Sequence, residues 1–172
     1  MFYIIIKNFF LKKNVIKRLT YQNSLASNEK VVTVGILVDE TYFNETSQLV
    51  ERIVSQGIVQ NNISILVYKD KIKAKEVVKE PFLSLKNISI SGEIDKKEVN
   101  DFIDTSFDLL INYYDVNKSA LLLLSAKSKS KFKVGFDTVD KRVNHFIIKT
   151  VVEDFNEFVL ELFKYLKILN KI

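Results

Sequence analysis

Short apolar runs alternate with amphipathic segments along most of the chain. The runs are 31–38 (VVTVGILV), 62–68 (NISILVY), 107–114 (FDLLINYY) and 131–136 (KFKVGF). Their near-continuous apolar character is typical of strands buried on both faces of a sheet. Segments with helical spacing lie at about 44–56, 95–103 and 118–128. Strands that alternate with helices predict parallel β-α-β units, because a parallel neighbour requires a crossover.

Two places in this pattern differ from the rest. Within 82–92 (FLSLKNISISG), an alternating pattern predicts a third strand at about 85–90. Only the eight residues 137–144 separate the fifth strand from 145–149 (HFIIK), too few for the usual parallel return. We therefore expect an antiparallel edge strand there. A long helix at about 153–170 ends the chain, with acidic residues at its start and lysines at its end.

The fold class predicted is a three-layer, Rossmann-like α/β domain. It has a mostly parallel sheet of about five strands, an antiparallel edge strand and helices on both faces. A chain of 172 residues fits one such domain, which we place at residues 29–172. The polar segment 22–30 (QNSLASNEK) is a linker between this domain and an N-terminal helix at 1–24.

The N-terminal helix has an amphipathic pattern. On a helical wheel Ile4, Leu11 and Val15 form the centre of an apolar stripe, with Ile5, Phe9, Ile16 and Leu19 beside them. The positions opposite are Lys7, Lys13, Asn14, Lys17 and Arg18. Its first apolar run, Phe2 to Ile6, is much shorter than the roughly 20 residues of a membrane span. We expect neither a transmembrane helix nor a signal peptide.

The excess positive charge of the chain is confined to this helix. Residues 1–28 contain no acid and five bases, which are Lys7, Lys12, Lys13, Lys17 and Arg18. Without those five, 21 of the 26 bases remain against 21 acids, so the net charge of +5 belongs to the helix. These five residues are the candidates for binding a polyanion or a membrane surface. The helix could pack on the domain, lie on an anionic membrane or contact RNA.

Composition argues against several kinds of chemistry. Because the chain has no cysteine, it can form no disulfide, thiol nucleophile or thiolate metal site, which fits a reducing cytoplasm. Its four glycines fall in strands, at a helix end and in a turn, and neither the dinucleotide fingerprint nor the P-loop spacing occurs. We therefore expect no cofactor. No DNA-binding motif is present either.

Acidic residues occupy the places where ligands bind in doubly wound sheets. Asp39, Asp70, Asp115 and Asp137 each follow a predicted parallel strand. If the strand order is 3-2-1-4-5, Asp39 and Asp115 flank the point where the order reverses. With Glu40 they are candidate magnesium ligands and candidate catalytic residues. Such positions are also common turn and helix-cap sites for aspartate, which is the simpler interpretation.

His145 is the only histidine and a further candidate catalytic residue, although no nucleophile motif lies near it in sequence. Lys127, Lys129, Lys131 and Lys133 occur at every second position. We interpret them as a helix end followed by one exposed face of a strand. A patch that binds phosphate or a partner is the alternative.

Two resemblances accompany these patterns. The N-terminal helix with VVTVGILV, FDLLINYY, SAKSKSKFKVGF and the final HFIIKTVVEDFNEFVLELFKYLKILNKI resembles an uncharacterised family of short proteins from flavobacteria and their relatives. This resemblance covers nearly the whole chain and implies no activity. Locally, FDLLINYYDVNKSALLLL and KFKVGFD, within residues 107–137, resemble the acceptor-side domain of lipopolysaccharide heptosyltransferases. That resemblance implies a Rossmann-like sheet.

The enzyme resemblance transfers no catalytic residue. Heptosyltransferases of this kind are built from two Rossmann-like halves, whereas these 172 residues hold one. Their glycine-containing loop after the first strand has no counterpart in DETYFNE.

The sequence as a whole predicts a non-catalytic, cytoplasmic binding or adaptor protein. Its partners would be a protein or the anionic inner membrane surface, contacted through the N-terminal helix. One alternative is an enzyme or enzyme remnant that uses the strand-end aspartates, either with magnesium or as a glycosyltransferase-like acceptor half. The other alternative, which we rank lower, is an RNA- or ribosome-associated protein.

Overall fold

A six-stranded parallel sheet forms the centre of the protein. The computed structural model describes residues 2–19, 29–71 and 80–172. Its strands are β1 (Val34–Asp39), β2 (Ile63–Tyr68), β3 (Phe82–Leu83), β4 (Leu109–Tyr113), β5 (Phe132–Phe136) and β6 (Phe146–Ile148). They lie in the order β3-β2-β1-β4-β5-β6, and every neighbouring pair is parallel. The assumed order 3-2-1-4-5 is therefore confirmed, with β6 added at one edge.

The described residues form five α-helices around the sheet. They are α1 (Phe2–Leu19), α2 (Thr46–Val54), α3 (Lys97–Asp104), α4 (Ser119–Lys127) and α5 (Phe155–Ile168). From β1 the chain moves toward one edge of the sheet, and from β4 it moves toward the other. Right-handed crossovers therefore place α2 and α4 on opposite faces. α5 packs beside α2, α3 packs beside α4, and α1 packs on α4, so the three-layer α/β prediction is confirmed.

Aromatic side chains fill the core on the side of α5. The rings of Tyr113 and Phe136 both lie about 5 Å from that of Phe158, with centroid distances of 5.1 and 4.7 Å. The Tyr113 hydroxyl donates a hydrogen bond of 2.7 Å to the carbonyl of Val152. This bond satisfies the one polar atom of a buried ring and attaches the chain before α5 to β4.

The glycines within strands allow close packing. A Cβ added to Gly35 on β1 would lie 2.7 Å from the ring of Phe107, and one added to Gly135 on β5 would lie 2.5 Å from the Asn144 amide. Gly57 and Gly92 have positive φ, at 103° and 84°, and form turns.

The edge strand predicted to be antiparallel is parallel. β6 pairs with β5 in the register Val134↔Phe146 to Phe136↔Ile148. The connection 137–145 returns through a single 3₁₀ turn, Lys141–Val143, instead of a helix. Because β6 has only three residues, the chain must travel back only about 10 Å. The prediction of an antiparallel strand was wrong because the usual length of a parallel crossover includes a packed helix, and the connection between β5 and β6 has none.

The third strand lies earlier than predicted. β3 is Phe82–Leu83, and residues 85–87 within the predicted span form a 3₁₀ turn. The Asn87 side chain accepts hydrogen bonds from both the backbone N–H and the hydroxyl of Ser84, each at 3.1 Å. Local side-chain bonds of this kind compete with the strand ladder, which explains why the alternating pattern is misleading here.

α1 presents a different face to the domain from the one predicted. Lys7, Leu11 and Val15 are buried against the domain. The predicted stripe residues Ile4, Ile5, Phe9 and Ile16 are exposed, and the side chain of Leu19 is outside the described part. Polar contacts set this rotation: Asn8 accepts a hydrogen bond from the Ser119 hydroxyl, and Asn14 donates one of 3.0 Å to the carbonyl of Ser91. The helix is described over Phe2–Leu19, and both its predicted end at residue 24 and most of the predicted linker lie outside the described residues.

The side chain of Asp108 links the segment just before β1 to the start of β4. Its Oδ2 accepts hydrogen bonds from the backbone N–H groups of Val32 and Thr33 at 3.0 and 2.9 Å, and from the Thr33 hydroxyl at 2.9 Å. Its Oδ1 lies 2.9 Å from the Lys131 ammonium. Desolvation alone would raise the pKa of Asp108, but these hydrogen bonds together lower it to about 2.

Replacing this carboxylate should give a pH-dependent loss of stability. Asp108→Asn should lower the free energy of unfolding by about 1 to 2 kcal/mol at pH 7. The reason is that the ionised carboxylate is stabilised in the folded state by its hydrogen bonds and by Lys131. Since the folded-state pKa is depressed, the difference from the parent should persist above pH 4 and fade as the pH falls toward 2. Urea unfolding at pH 7, 4 and 2.5 measures this. Asp104→Asn, at an exposed ion pair, is the control, and a loss independent of pH would contradict the assignment.

Candidate functional site

A lysine ammonium occupies the carboxyl edge of the sheet at the switch point between β1 and β4. The Lys118 Nζ lies 2.7 Å from Asp39 Oδ2, 3.0 Å from Asp70 Oδ2 and 2.9 Å from Thr41 Oγ1. Because an ammonium group has three donors, these three oxygens satisfy it completely. We call Asp39, Thr41, Asp70 and Lys118 the Lys118 cluster.

The loops after β1 and β2 fix the acceptors of this cluster. Asp39 Oδ1 accepts from the Thr41 N–H at 3.0 Å and from its hydroxyl at 2.6 Å. Asp70 Oδ1 accepts from the Tyr68 hydroxyl at 2.9 Å. Burial, followed by the charge of Asp70, raises the pKa of Tyr68, so the phenol keeps its proton and remains a donor. Lys118 precedes α4, so the cluster links β1, β2 and α4.

The cluster differs from the grouping expected from sequence. Asp39 meets Asp70 through Lys118, and the hydrogen bonds of the cluster do not involve Asp115, whose carbonyl accepts from Thr138. Glu40 contacts Lys69 at 3.3 Å and accepts from the Thr46 hydroxyl. Among the described residues, no group of three or more histidine or acidic side chains is arranged to hold a metal ion. The contacts on this edge are those of a structural ion-pair network.

His145 lies at the amino-terminal ends of the strands, beside the start of β5. Its Nδ1 accepts a hydrogen bond of 2.9 Å from the Lys133 N–H, and its ring stacks on Phe132. Burial lowers the pKa of His145, and the neighbouring Lys133 and Lys171 lower it further. A neutral ring that accepts from the backbone has a structural role in pairing β6 with β5.

Lys133 is buried, although the sequence predicted an exposed strand face. Its side chain is on a strand enclosed between β4 and β6, and 3% of the residue is exposed. The Nζ donates a hydrogen bond of 2.6 Å to the carbonyl of Ser125 on α4. Burial lowers the pKa of Lys133 to about 8. The apolar residues that alternate with this lysine in the sequence indicated a strand but gave no sign that the lysine itself is buried.

Buried amide and hydroxyl groups extend this polar contact. The Ser125 hydroxyl donates to Asn112 Oδ1 at 2.7 Å and lies 2.7 Å from the Tyr114 hydroxyl. Asn112 Nδ2 donates to Asn144 Oδ1 at 2.7 Å. The network links β4, α4 and the turn before β6, and sequence reasoning gave no indication of it.

The outer face of α1 combines large apolar side chains with lysines. Ile5, Phe9 and Ile16 are 61%, 65% and 50% exposed and lie within about 40° of one another around the helix. Lys12 flanks them on one side, while Lys13 and Lys17 flank them on the other. We call these six residues the outer face of α1.

The other two basic candidates do not belong to this surface. Lys7 is buried against the domain, and burial lowers its pKa, an effect partly opposed by Asp95. The side chain of Arg18 is outside the described part of the structure.

Comparisons with known proteins place the chain in a family but give it no activity. Residues 7–169 match DUF6913, a family of unknown function. The chain belongs to this family. No curated protein and no solved structure matches it, so the local heptosyltransferase resemblance has no support from either comparison. No helix among the described residues is long and apolar enough to cross a membrane.

Removing the ammonium from the Lys118 cluster should destabilise the fold. Lys118→Met keeps the length of the side chain but leaves Asp39 largely buried beside Asp70 without a cation. We expect the free energy of unfolding, measured with urea, to fall by roughly 2 to 3 kcal/mol. Lys97→Met, which breaks an exposed pair with Asp101, should cost less than about 0.5 kcal/mol.

Removing the charges of Lys118 and Asp39 together tests whether their contributions to stability are coupled. Adding Asp39→Asn to Lys118→Met should recover part of the lost stability, because it removes the uncompensated carboxylate. Additive losses, or equal effects at Lys118 and Lys97, would contradict a coupled network.

Proposed function

We propose that this protein is a non-catalytic binding or adaptor protein that docks on the anionic cytoplasmic surface of a membrane. The outer face of α1 is the observation that carries the proposal. An apolar stripe flanked by lysines on both sides is the pattern of helices that lie in the plane of a bilayer surface. The absence of cysteine from the chain fits a reducing compartment on the side where anionic lipids are concentrated.

The chemistry of this face favours a membrane over other polyanions. Of the three apolar residues of this face only Phe9 has a ring on which a nucleic-acid base could stack, whereas the aliphatic groups of Ile5 and Ile16 transfer favourably into the acyl boundary. The three lysines would each contribute about 1 kcal/mol beside anionic headgroups. A second copy of the chain fits less well, because pairing two such faces would bring like charges together.

The way α1 packs supports a preformed docking surface. Asn8 and Asn14 fix its rotation, and Leu11 and Val15 attach it to the domain, so the outer face is presented without a further ordering step. Preorganisation of this kind reduces the entropic cost of binding. Nothing in the Lys118 cluster favours the enzyme alternative to the same degree, since Asp39 Oδ2 already pairs with the ammonium and its Oδ1 already accepts from Thr41.

Sedimentation with vesicles tests this function. The full chain should bind vesicles containing one quarter phosphatidylglycerol more strongly than pure phosphatidylcholine vesicles. This difference in binding should shrink as the salt concentration rises from roughly 50 to 500 mM, because salt screens the attraction between lysines and anionic headgroups. The triple variant Lys12→Gln, Lys13→Gln, Lys17→Gln should bind at least about tenfold more weakly, because it loses three surface charges. The double variant Ile5→Ser, Phe9→Ser should lose binding to a similar extent.

Matched substitutions elsewhere separate a local effect from a global one. Lys141, Lys149 and Lys167 are exposed and lie outside α1, so changing these three to Gln makes the same change in net charge. Val151→Ser with Leu160→Ser removes apolar surface of comparable exposure. Both controls should bind as the parent does. Equal binding by all variants, or retention of RNA in place of vesicles, would overturn the proposal.

A further inference from the structure

The first turn of α1 is apolar on every side. Successive residues of a helix are about 100° apart, so four consecutive residues face all sides of it. In α1 these four are Tyr3, Ile4, Ile5 and Ile6, which we call the apolar tip of α1. Tyr3, Ile4 and Ile5 are each more than half exposed. Because a helix that is apolar all round is normally buried, this exposed tip suits an apolar partner.

The position of α1 on α4 makes the tip project from the domain. Asn8 accepts a hydrogen bond from Ser119, the first residue of α4. Farther along α1, Asn14 donates to the turn 89–92, which in turn accepts a hydrogen bond from Lys127 at the end of α4. α1 therefore runs in the same direction as α4. The six described residues before Asn8 continue for about 9 Å toward and past the start of α4.

Two residues on one side of α1 show where the domain ends. Ile4 and Leu11 are seven positions apart, so their side chains lie within about 20° of each other around the helix. Leu11 is fully buried against the domain, whereas Ile4 is 52% exposed. The exposure of the tip therefore depends on its position along the axis of α1 and is not limited to the outer face.

Charged and apolar side chains are also separated along the axis of α1. Within residues 3–10 the one charged residue, Lys7, is buried. The exposed rings of Phe9 and Phe10 contact each other, with centroids 5.7 Å apart, and extend the apolar surface of the tip. The second half of the helix carries the exposed lysines, which are Lys12, Lys13 and Lys17. An anionic bilayer presents an apolar and then a negatively charged layer in the matching order.

We propose that the apolar tip of α1 enters the acyl boundary of an anionic bilayer, so that α1 is tilted and its second half stays at the level of the headgroups. This inference rests on the membrane docking proposed above and deepens it, because docking through the outer face alone would lay α1 flat. The length of about 9 Å before Asn8 matches the roughly 5 to 10 Å by which interfacial helices enter a bilayer. The first four N–H groups of α1, which a helix leaves without internal partners, would donate to lipid carbonyl and phosphate oxygens.

Depth measurements with a fluorescent label test the tilt. Because the chain has no cysteine, Ile4→Cys, Phe9→Cys and Ile16→Cys each provide one site for a nitrobenzoxadiazole label. On vesicles with about one quarter phosphatidylglycerol, lipids spin-labelled in their acyl chains should quench the labels at 4 and 9 at least about twofold more than the label at 16. Flat docking predicts equal quenching at 9 and 16 and little at 4, because Ile4 lies about 140° from Phe9 around the helix.

Vesicle binding by a tip variant provides a second measurement. Tyr3→Ser with Ile4→Ser should weaken binding about tenfold or more, because neither side chain belongs to the outer face and both would leave the acyl boundary. Val32→Ser with Val59→Ser removes two exposed apolar side chains at the amino ends of the strands and should bind as the parent does. Circular dichroism should show the same helix content for both variants, which separates loss of binding from unfolding.

The possible results distinguish the tilt from docking itself. If the parent binds anionic vesicles but the label at residue 4 is not quenched, docking stands and the tilt is overturned. Parent-like binding by the tip variant has the same meaning. If the parent does not bind anionic vesicles, the docking function fails and the tilt fails with it.

Discussion

Parallel pairing of β1 with β2 and β4 is the constraint on which the rest of the structure depends. β1 is matched to β2 along all six of its residues and to β4 along five. Parallel neighbours cannot be joined by tight turns, so each strand requires a crossover that covers a face of the sheet. The carboxyl ends of β1 and β2 and the start of α4 are thereby brought to one edge. Asp39, Asp70 and Lys118, which are far apart in sequence, meet there for that reason.

The elements that sequence predicted well are those whose residues share one environment. β1 and β4 are buried on both faces, and their continuous apolar runs have no other satisfactory explanation. The helix at the end of the chain was equally clear, since Phe158, Leu162 and Leu166 repeat at helical spacing and are all buried. From these elements, the alternation of strands and helices was enough to predict the fold class, whereas the strand order 3-2-1-4-5 was an assumption that the structure bears out.

The elements that were missed depend on contacts between distant segments. Lys133 is buried because its side chain lies against α4, where its Nζ donates to the carbonyl of Ser125, a contact that the pattern of β5 alone does not reveal. The rotation of α1 follows from hydrogen bonds of Asn8 and Asn14 to residues 77 or more positions away, which a helical wheel cannot include. The aspartates at the strand ends were recognised as a group. Lys118, which pairs with Asp39 and Asp70, was not recognised, because a lysine before a helix has no distinctive sequence pattern.

The location of charge on the surface also changes how function is understood. Sequence counting gave a basic helix and a neutral body, but a neutral sum conceals the ion pairs at the switch point. At the switch point, where doubly wound sheets bind ligands, three oxygens are held by an ammonium group of the chain itself. Any ligand that needed those oxygens would first have to displace a cation tethered to α4. The outer face of α1 lies away from the sheet, and its Ile5 and Phe9 side chains are exposed to solvent. For this reason we propose the outer face of α1 as the binding surface of the protein and regard the Lys118 cluster as part of the framework of the sheet.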